Sequence, residues 1–345
     1  MYLCRYVFFR SWFRFFPVRF FSFFLNFVVV VAMCGGVLGQ SMDDVHIVPK
    51  PEPHKSRLGM PPTERLKIDV EMVLVPVSVT DTQNHPVVDL AESNFKLFEG
   101  DTEKKIQYFS SEDEPLSMGI LVDLSSSMAN KIDSVREAAA EFFNNANPAD
   151  DYFVITFADK PKVLADTTQS FERIQAALGV AQPKGNTALA DAIYMGLAKL
   201  KKARYSRKAL LVISDGGDNN SRHSLRQIKK IARESDVQIY AIDICDAPTI
   251  LLTEKLEQRF GRQWLTQVTE STGGRTIALD NPAGIPEAAA RASRELRNQY
   301  ILGYRPPPAT ENHKFRKIRV RVSRSDSFLP LQVYYRRGYV PRKDD

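Results

Sequence analysis

From Leu116 onwards, short apolar runs alternate with stretches of helical periodicity, and this alternation constrains the fold more than any other feature of the sequence. Strand runs that are apolar throughout are typical of a parallel sheet covered by helices on both faces. The predicted strands are Met118–Leu124, Tyr152–Phe157, Ala209–Ser214, Gln238–Ile244 and a short one at Arg275–Leu279. The predicted helices are Ile132–Asn144, Phe171–Ala181, Thr187–Leu200, Ser224–Asp236, about Glu254–Thr272 and Pro286–Asn298. The sequence therefore predicts an α/β fold over residues 115–298, with a doubly wound, mostly parallel sheet.

Both ends of this α/β region have the alternating pattern of short strands instead. Alternation over residues 67–112 indicates an N-terminal β-rich segment, and residues 299–345 return to strands after the last predicted helix. The C-terminal strands are predicted at Tyr300–Tyr304, Lys314–Val322 and Leu331–Tyr335. Neither segment alone has enough strands for independent stability. We therefore expect an additional small β-rich domain in which residues 299–345 pack with residues 67–112.

The first forty residues differ chemically from the rest, since they hold ten of the 21 Phe residues and no Asp or Glu. Four arginines precede an apolar run from Phe20 to Met33, and small residues follow. This pattern predicts an export signal over residues 1–39, cleaved before Gln40. Residues 40–66, rich in proline and charge, are predicted to be an extended linker. We expect an exported protein located outside the cell or in the cell envelope or periplasm.

Two alternatives for this terminus stay open. The apolar run could be an uncleaved membrane anchor, although a membrane span needs about 20 residues and this run is shorter. Cys34 faintly resembles the cysteine of a bacterial lipoprotein signal, but Met33 is large where such signals carry a small residue. Membrane contact is therefore expected only through a possible uncleaved N-terminal segment.

Charge and cysteine content exclude several classes of protein. After residue 40, 43 basic and 41 acidic side chains remain, so no nucleic-acid partner is indicated. Cys4 and Cys34 lie in the terminal segment, which leaves Cys245 as the only cysteine of the body. A single cysteine excludes both a disulfide scaffold and a zinc site built from cysteines.

The residues that point to a function begin where the first predicted strand of the α/β region ends. Asp123, Ser125 and Ser127 alternate there, so their side chains can converge while Leu124 turns into the core. Open α/β sheets bind ligands at this edge. One carboxylate and two hydroxyls are a sensible partial ligand set for a hard cation such as Mg²⁺.

Two further loops at equivalent sheet ends supply what this motif lacks. Thr187 opens a predicted helix after Gly185-Asn186, and Asp215 follows the apolar strand that ends at Ser214. Thr187 would add a third hydroxyl and Asp215 a second carboxylate. Glycines in both loops permit a close approach of the backbone.

Together these residues resemble the metal-ion-dependent adhesion site of von Willebrand factor type A domains. The resemblance covers roughly residues 115–298, and all five positions of the pattern are present: Asp123, Ser125, Ser127, Thr187 and Asp215. It implies that Ser125 and Ser127 bind the ion directly, Thr187 directly or through water, and the two aspartates largely through water. The flanking strands also resemble a secreted bacterial subgroup in which such a domain is embedded in β-rich sequence.

This resemblance implies a non-catalytic protein that binds Mg²⁺, or Mn²⁺ or Ca²⁺, and uses it in adhesion. Because few negative ligands touch the ion directly, it stays electrophilic and keeps one position for an outside oxygen. We therefore expect the partner to be a protein that offers an Asp or Glu carboxylate.

Two other functions remain possible from the sequence. A structural scaffold is one, in which the metal merely stabilises three loops. An Mg²⁺-dependent phosphatase is the other, with Asp123 as nucleophile. Phosphatases of the haloacid dehalogenase type resemble this layout but carry a second aspartate where this chain has Ser125, and serine has no suitable pKa to protonate a leaving group.

Overall fold

The computed structural model describes residues 72–244, 252–307, 314–324 and 330–341, and for residues 252–259 it describes the backbone alone. The predicted signal peptide (residues 1–39), the predicted linker (residues 40–66) and Cys245 lie outside the described residues. Within the described ranges, no helix combines the length and the apolar character needed to cross a membrane.

The strands are numbered in chain order. They are β1 (Val73–Thr80), β2 (Phe95–Glu99), β3 (Thr102–Lys104), β4 (Tyr108–Ser110), β5 (Ser117–Asp123), β6 (Asp151–Phe157), β7 (Pro161–Thr168), β8 (Lys208–Ser214), β9 (Gln238–Ile244), β10 (Thr276–Leu279), β11 (Gln299–Tyr304), β12 (Arg316–Val322), β13 (Gln332–Tyr335) and β14 (Gly338–Tyr339). The helices are α1 (Ile132–Asn144), α2 (Phe171–Gly179), α3 (Leu189–Leu200), α4 (Leu225–Glu234), α5 (Leu252–Thr272) and α6 (Ile285–Arg297).

In the described residues the central sheet has six strands in the order β10-β9-β8-β5-β6-β7. Every neighbouring pair is parallel except β6 and β7, which are antiparallel. The order runs outward in both directions from β5 and β8, so the sheet is doubly wound. The predicted α/β fold class with a mostly parallel sheet is confirmed.

Helices cover both faces of this sheet because successive side chains of each strand point to opposite sides. Along β5, Met118, Ile120 and Val122 lie in a core shared with α1, α2 and α6. Leu121 lies in a second core shared with α3, α4 and α5. Both faces of the strand are therefore buried, which is why its sequence is apolar throughout.

The edge strand β7 was not predicted from the sequence. It is partly exposed along its whole length, and Val163 is 40% exposed. Its antiparallel pairing with β6 also contains register shifts. An edge strand with this little buried surface leaves no apolar run by which it could be recognised.

The remaining strands form two antiparallel sheets, β13-β1-β11-β4 and β14-β12-β2-β3, in the part of the chain that the structure describes. Strand β1 lies between β11 and β13, and β12 lies between β2 and β14. The two sheets share one core, which contains Val75 and Val77 of β1, Leu97 of β2 and Leu302 of β11. These extra antiparallel sheets are thus built from segments on both sides of the α/β region.

Candidate metal centre

The candidate site lies at the carboxyl edge of the central sheet, where β5 and β8 end side by side. The two strands are parallel, and Val122 of β5 pairs with Ile213 of β8. Asp123 is the last residue of β5 and Ser214 the last of β8, and both are fully buried. Ser214 Oγ donates a hydrogen bond of 2.6 Å to Asp123 Oδ2. This places the Asp123 carboxylate at the junction of the two strands.

The loop after β5 brings three of the predicted ligands together. The backbone N–H of Ser125 donates to Asp123 Oδ1 at 2.8 Å, and Ser125 Oγ lies 3.1 Å from Ser127 Oγ. Ser125 has extended backbone angles and directly precedes a short 3₁₀ helix over Ser126–Met128. Ser125 is buried and Ser127 is exposed. The motif therefore runs from a buried carboxylate to a hydroxyl at the surface.

The loop before α3 is attached to this first loop through the backbone. Ser126 N donates to Gly185 O at 3.0 Å, and Gly185 N donates back to Ser126 Oγ at 3.0 Å. The bond from Lys184 N to Leu124 O adds a third connection, 2.7 Å long. Gly185 has a φ of +94°, a backbone conformation that favours glycine. These bonds hold the segment that carries Thr187 against the motif.

The loop after β8 is attached to Thr187 in turn. Asn219 and Asn220 both donate their backbone N–H to Thr187 O at 3.0 Å, and Thr187 N donates to Asn219 Oδ1 at 2.9 Å. Thr187 itself is buried. The structure thus brings Asp123, Ser125 and Ser127 into direct contact and positions Thr187 through the backbone of its neighbours.

Asp215 completes the predicted set from the start of this third loop. It is 4% exposed, and its Oδ2 lies 3.5 Å from the ammonium nitrogen of Lys131. Burial and, after it, the negative charge of Asp215 raise the pKa of Asp123 to about 7, against the hydrogen bonds from Ser214 and Ser125, which lower it. The two carboxylates therefore repel each other in a buried environment, which a cation between them would relieve.

Several charged or polar residues of this site were not predicted from the sequence. Besides Ser214 they are Lys131, Asp243 and Arg262. Asp243, near the end of β9, is 1% exposed and forms an ion pair with Arg262 of α5. A single carboxylate inside the apolar run Gln238–Ile244 was a signal that could have identified it, because isolated charges in buried strands are rare.

The oxygen donors of this site fit a hard divalent cation. Hydroxyls and carboxylates are the ligands that Mg²⁺ and Ca²⁺ prefer, and the exposed Ser127 leaves the site open to solvent. Within residues 72–244, 252–307, 314–324 and 330–341, no group of three or more His, Cys, Asp or Glu side chains is arranged to hold a metal.

The doubly wound α/β domain carries these hydroxyls and carboxylates at its carboxyl edge, and the comparison with known families identifies the class of fold. Residues 118–217 match the family model of the von Willebrand factor type A domain. The matched range contains all five predicted site residues. This region of the chain is therefore a von Willebrand factor type A domain, and domains of this family typically mediate protein–protein interactions.

Solved structures with a similar fold have low sequence identity to this chain. A von Willebrand factor type A protein from Catenulispora acidiphila is 11% identical with a TM-score of 0.46, covering 79% of this chain and 75% of that one. BatB from Bacteroides thetaiotaomicron is 16% identical with a TM-score of 0.41, covering 52% and 98%. Proximal thread matrix protein 1 from the mussel byssus, with a zinc-occupied MIDAS motif, is 17% identical with a TM-score of 0.44, covering 57% and 49%. A comparison with curated proteins gave no significant match.

Proposed function

We propose that this protein is an exported, non-catalytic binding module that uses a divalent cation to bind an acidic group of a partner protein. Mg²⁺ is the proposed ion, with Mn²⁺ or Ca²⁺ as alternatives. The observation that carries the proposal is the convergence of Asp123, Ser125 and Ser127 at the carboxyl edge of the sheet. The proposed work of the module is adhesion, or assembly of a complex in the envelope or outside the cell.

The five residues have distinct roles in this proposal. Ser125 and Ser127 would hold the ion directly through their hydroxyl oxygens, and Thr187 directly or through water. Asp123 and Asp215 would act largely through water. Hydrogen bonds to both oxygens of Asp123 support this assignment, because its carboxylate is already oriented by Ser125 N and Ser214 Oγ. With most direct ligands neutral, a bound cation would supply an electrophilic position for the partner's carboxylate.

The electrostatics of the site also support cation binding. Asp123 and Asp215 are both at most 4% exposed, and repulsion between them contributes to the pKa of about 7 at Asp123. A divalent cation would favour the ionised form of both groups, so binding should release protons near neutral pH. The site thus holds two buried carboxylates whose charges interact, which a polar loop that merely caps a sheet does not need.

Export is proposed from the composition of the first forty residues, with their arginines, apolar run and lack of acidic side chains. Mass spectrometry of the mature protein would test this proposal. An N-terminus at Gln40 is expected for a cleaved signal peptide, and an intact Met1 would favour the uncleaved anchor.

The central test is cation binding to the purified protein by isothermal titration calorimetry. Asp123→Ala and Ser125→Ala should each weaken Mg²⁺ binding by at least about tenfold, because each removes an oxygen that holds or orients the ion. Ser206→Ala is the matched control, since Ser206 is exposed and precedes β8, at the opposite end of that strand from Asp215. Unchanged Mg²⁺ affinity in both site variants would reject the proposal.

Partner binding separates the proposed adhesion from a scaffold whose metal only stabilises loops. A pull-down from extracellular material should recover proteins with Mg²⁺ and lose them with EDTA or in Ser125→Ala. If Mg²⁺ raised the melting temperature of the protein but the same proteins were recovered with Mg²⁺ and with EDTA, the structural scaffold would be favoured. Turnover of a generic phosphate ester that disappeared in Asp123→Asn would instead favour an enzyme.

A further inference from the structure

A fully buried lysine lies beside the candidate metal centre. Lys131 has no exposed surface, and its Nζ lies 3.5 Å from Asp215 Oδ2. Its backbone is fixed where the first loop meets α1, because Lys131 N donates to Met128 O at 2.9 Å and Val135 N donates to Lys131 O at 3.1 Å. Lysine is almost never fully buried unless it is paired with an opposite charge. The position of its ammonium is therefore set by the fold.

This lysine belongs to a group of five charged side chains behind the three loops. Asp123, Asp215 and Asp243 are buried at the ends of β5, β8 and β9, and Arg262 pairs with Asp243 from α5. Burial raises the pKa of Asp243, with Arg262 and Lys131 opposing the rise and Asp215 adding to it. Asp215 therefore interacts with both other carboxylates as well as with Lys131.

When all five groups are ionised, three negative charges face two positive ones. A divalent cation would change the sign of this local charge, from one net negative to one net positive. Two cations that share Asp215 in surroundings of low dielectric constant repel each other strongly. The ammonium and a bound metal ion are thus expected to compete for the same carboxylate.

We propose that Lys131 is a resident counter-cation, which holds Asp215 in the metal-free protein and lowers the affinity of the site for divalent cations. This inference rests on the proposed function, because it concerns the same metal centre. With Lys131 in this role, the three loops stay assembled in the metal-free protein. The fraction of the protein that carries a metal ion then follows the concentration of free cation in the surroundings. Lys131 acts on the ion through Asp215 and is a positioning residue.

The first experiment measures Mg²⁺ affinity by calorimetry in Lys131→Met, which keeps the length of the side chain and removes its charge. The affinity should rise by at least about tenfold, because the repulsion of the ion is lost. Lys131→Arg retains the charge and should bind Mg²⁺ no more tightly than the unmodified protein. Lys201→Met changes net charge equally at an exposed residue just after α3 and should leave the affinity unchanged.

The outcomes separate this inference from the proposed function. Equal or weaker binding by Lys131→Met, with normal binding by the unmodified protein, overturns the inference and leaves the function standing. Binding by Lys131→Met alone supports the inference and rejects metal-dependent function for the natural sequence. Absence of binding in both proteins rejects both proposals.

A second experiment needs no metal and covers the case in which Lys131→Met is too unstable to titrate. Urea unfolding in EDTA is compared for Lys131→Met, Asp215→Asn and the double variant. Because each single change leaves an opposite charge buried and unpaired, the double variant should lose less stability than the two single losses added together. The inference is overturned if the double variant loses as much stability as the two single variants together, or if it does not fold at all.

Discussion

Ser214 Oγ donates a hydrogen bond of 2.6 Å to Asp123 Oδ2, and this bond joins the carboxyl ends of two neighbouring parallel strands. Both residues are fully buried. The other oxygen of Asp123 accepts the backbone N–H of Ser125 at 2.8 Å. The carboxylate is consequently oriented by the protein itself, before any ion is bound.

Removal of this donor should destabilise the protein. In Ser214→Ala, the Asp123 carboxylate stays buried but loses a partner, which should cost about 1–3 kcal/mol of unfolding free energy. Urea unfolding in EDTA measures the loss. The control Ser206→Ala deletes the same hydroxyl at the surface and should change stability by less than about 0.5 kcal/mol. Equal effects of the two variants would show that the bond contributes little.

The central strands could be predicted from the sequence because burial on both faces leaves a signature in each strand itself. The strand predicted at Met118–Leu124 lies at Ser117–Asp123 in the structure, and the strand predicted at Gln238–Ile244 has the same bounds in the structure. The pairing order of the strands could not be read in this way, since it depends on contacts between residues far apart in sequence. Strand β7 shows the limit, because its exposed residues carry no apolar pattern.

In the candidate site, too, local patterns could be read from the sequence and contacts between distant residues could not. Asp123, Ser125 and Ser127 could be named together because they lie within five residues and their alternation is a local property. Asp243 could be recognised as an isolated charge in a buried strand, but neither Asp243 nor Lys131 could be placed near Asp215, since that proximity exists only after three elements have packed. The sequence therefore predicts a set of oxygen donors, and the structure places two cations and a third carboxylate beside them.

Close packing of α5 against the third loop gives a second prediction. A Cβ at Gly261 would lie 1.6 Å from Gly216 O, so an alanine there must displace the helix or the loop. Gly261→Ala should cost about 3 kcal/mol or more, as expected for overpacking against rigid backbone. Thermal unfolding by circular dichroism would measure this loss.

Gly179 at the end of α2 provides the matched control, because a Cβ there would meet nothing within 4 Å. Gly179→Ala should leave stability unchanged or raise it by up to about 1 kcal/mol, through the better helix propensity of alanine. A Gly261→Ala variant as stable as Gly179→Ala would mean that α5 does not pack against Gly216 in solution.

Acid sensitivity is predicted for the segment between β8 and α4. Asp191 accepts hydrogen bonds from the backbone of Arg222 and His223, and its Oδ1 lies 2.6 Å from His223 Nδ1. Burial alone would raise the pKa of Asp191, but the hydrogen bonds from His223 and Arg222 outweigh it and lower the pKa to about 2. A lowered folded-state pKa stabilises the protein above about pH 4, and this contribution disappears as the pH falls to about 2.

Asp191→Asn should therefore cost about 2 kcal/mol at pH 7, and the difference from the unmodified protein should shrink between pH 4 and pH 2. Urea unfolding at a series of pH values measures both quantities. The exposed Asp280 gives the control Asp280→Asn, whose effect should be small at every pH. A cost for Asp191→Asn that stayed constant down to pH 2 would contradict the proposed role of these hydrogen bonds.

A buried polar cluster joins the central sheet to the β-rich strands and supplies the last prediction. The phenol oxygen of Tyr240 in β9 lies 3.4 Å from Ser78 Oγ in β1, and Gln299 Nε2 in β11 donates to the same Ser78 oxygen at 3.0 Å. Burial raises the pKa of the Tyr240 phenol, so it stays protonated and can donate. Tyr240→Phe keeps the packing and leaves Ser78 with one partner fewer, which should cost about 1 kcal/mol of unfolding free energy in a urea titration.

The control Tyr194→Phe makes the same chemical change at a residue that is 40% exposed and should cost less than about 0.5 kcal/mol in the same titration. Equal losses in the two variants would mean that the hydroxyl of Tyr240 does not hold the two sets of strands together.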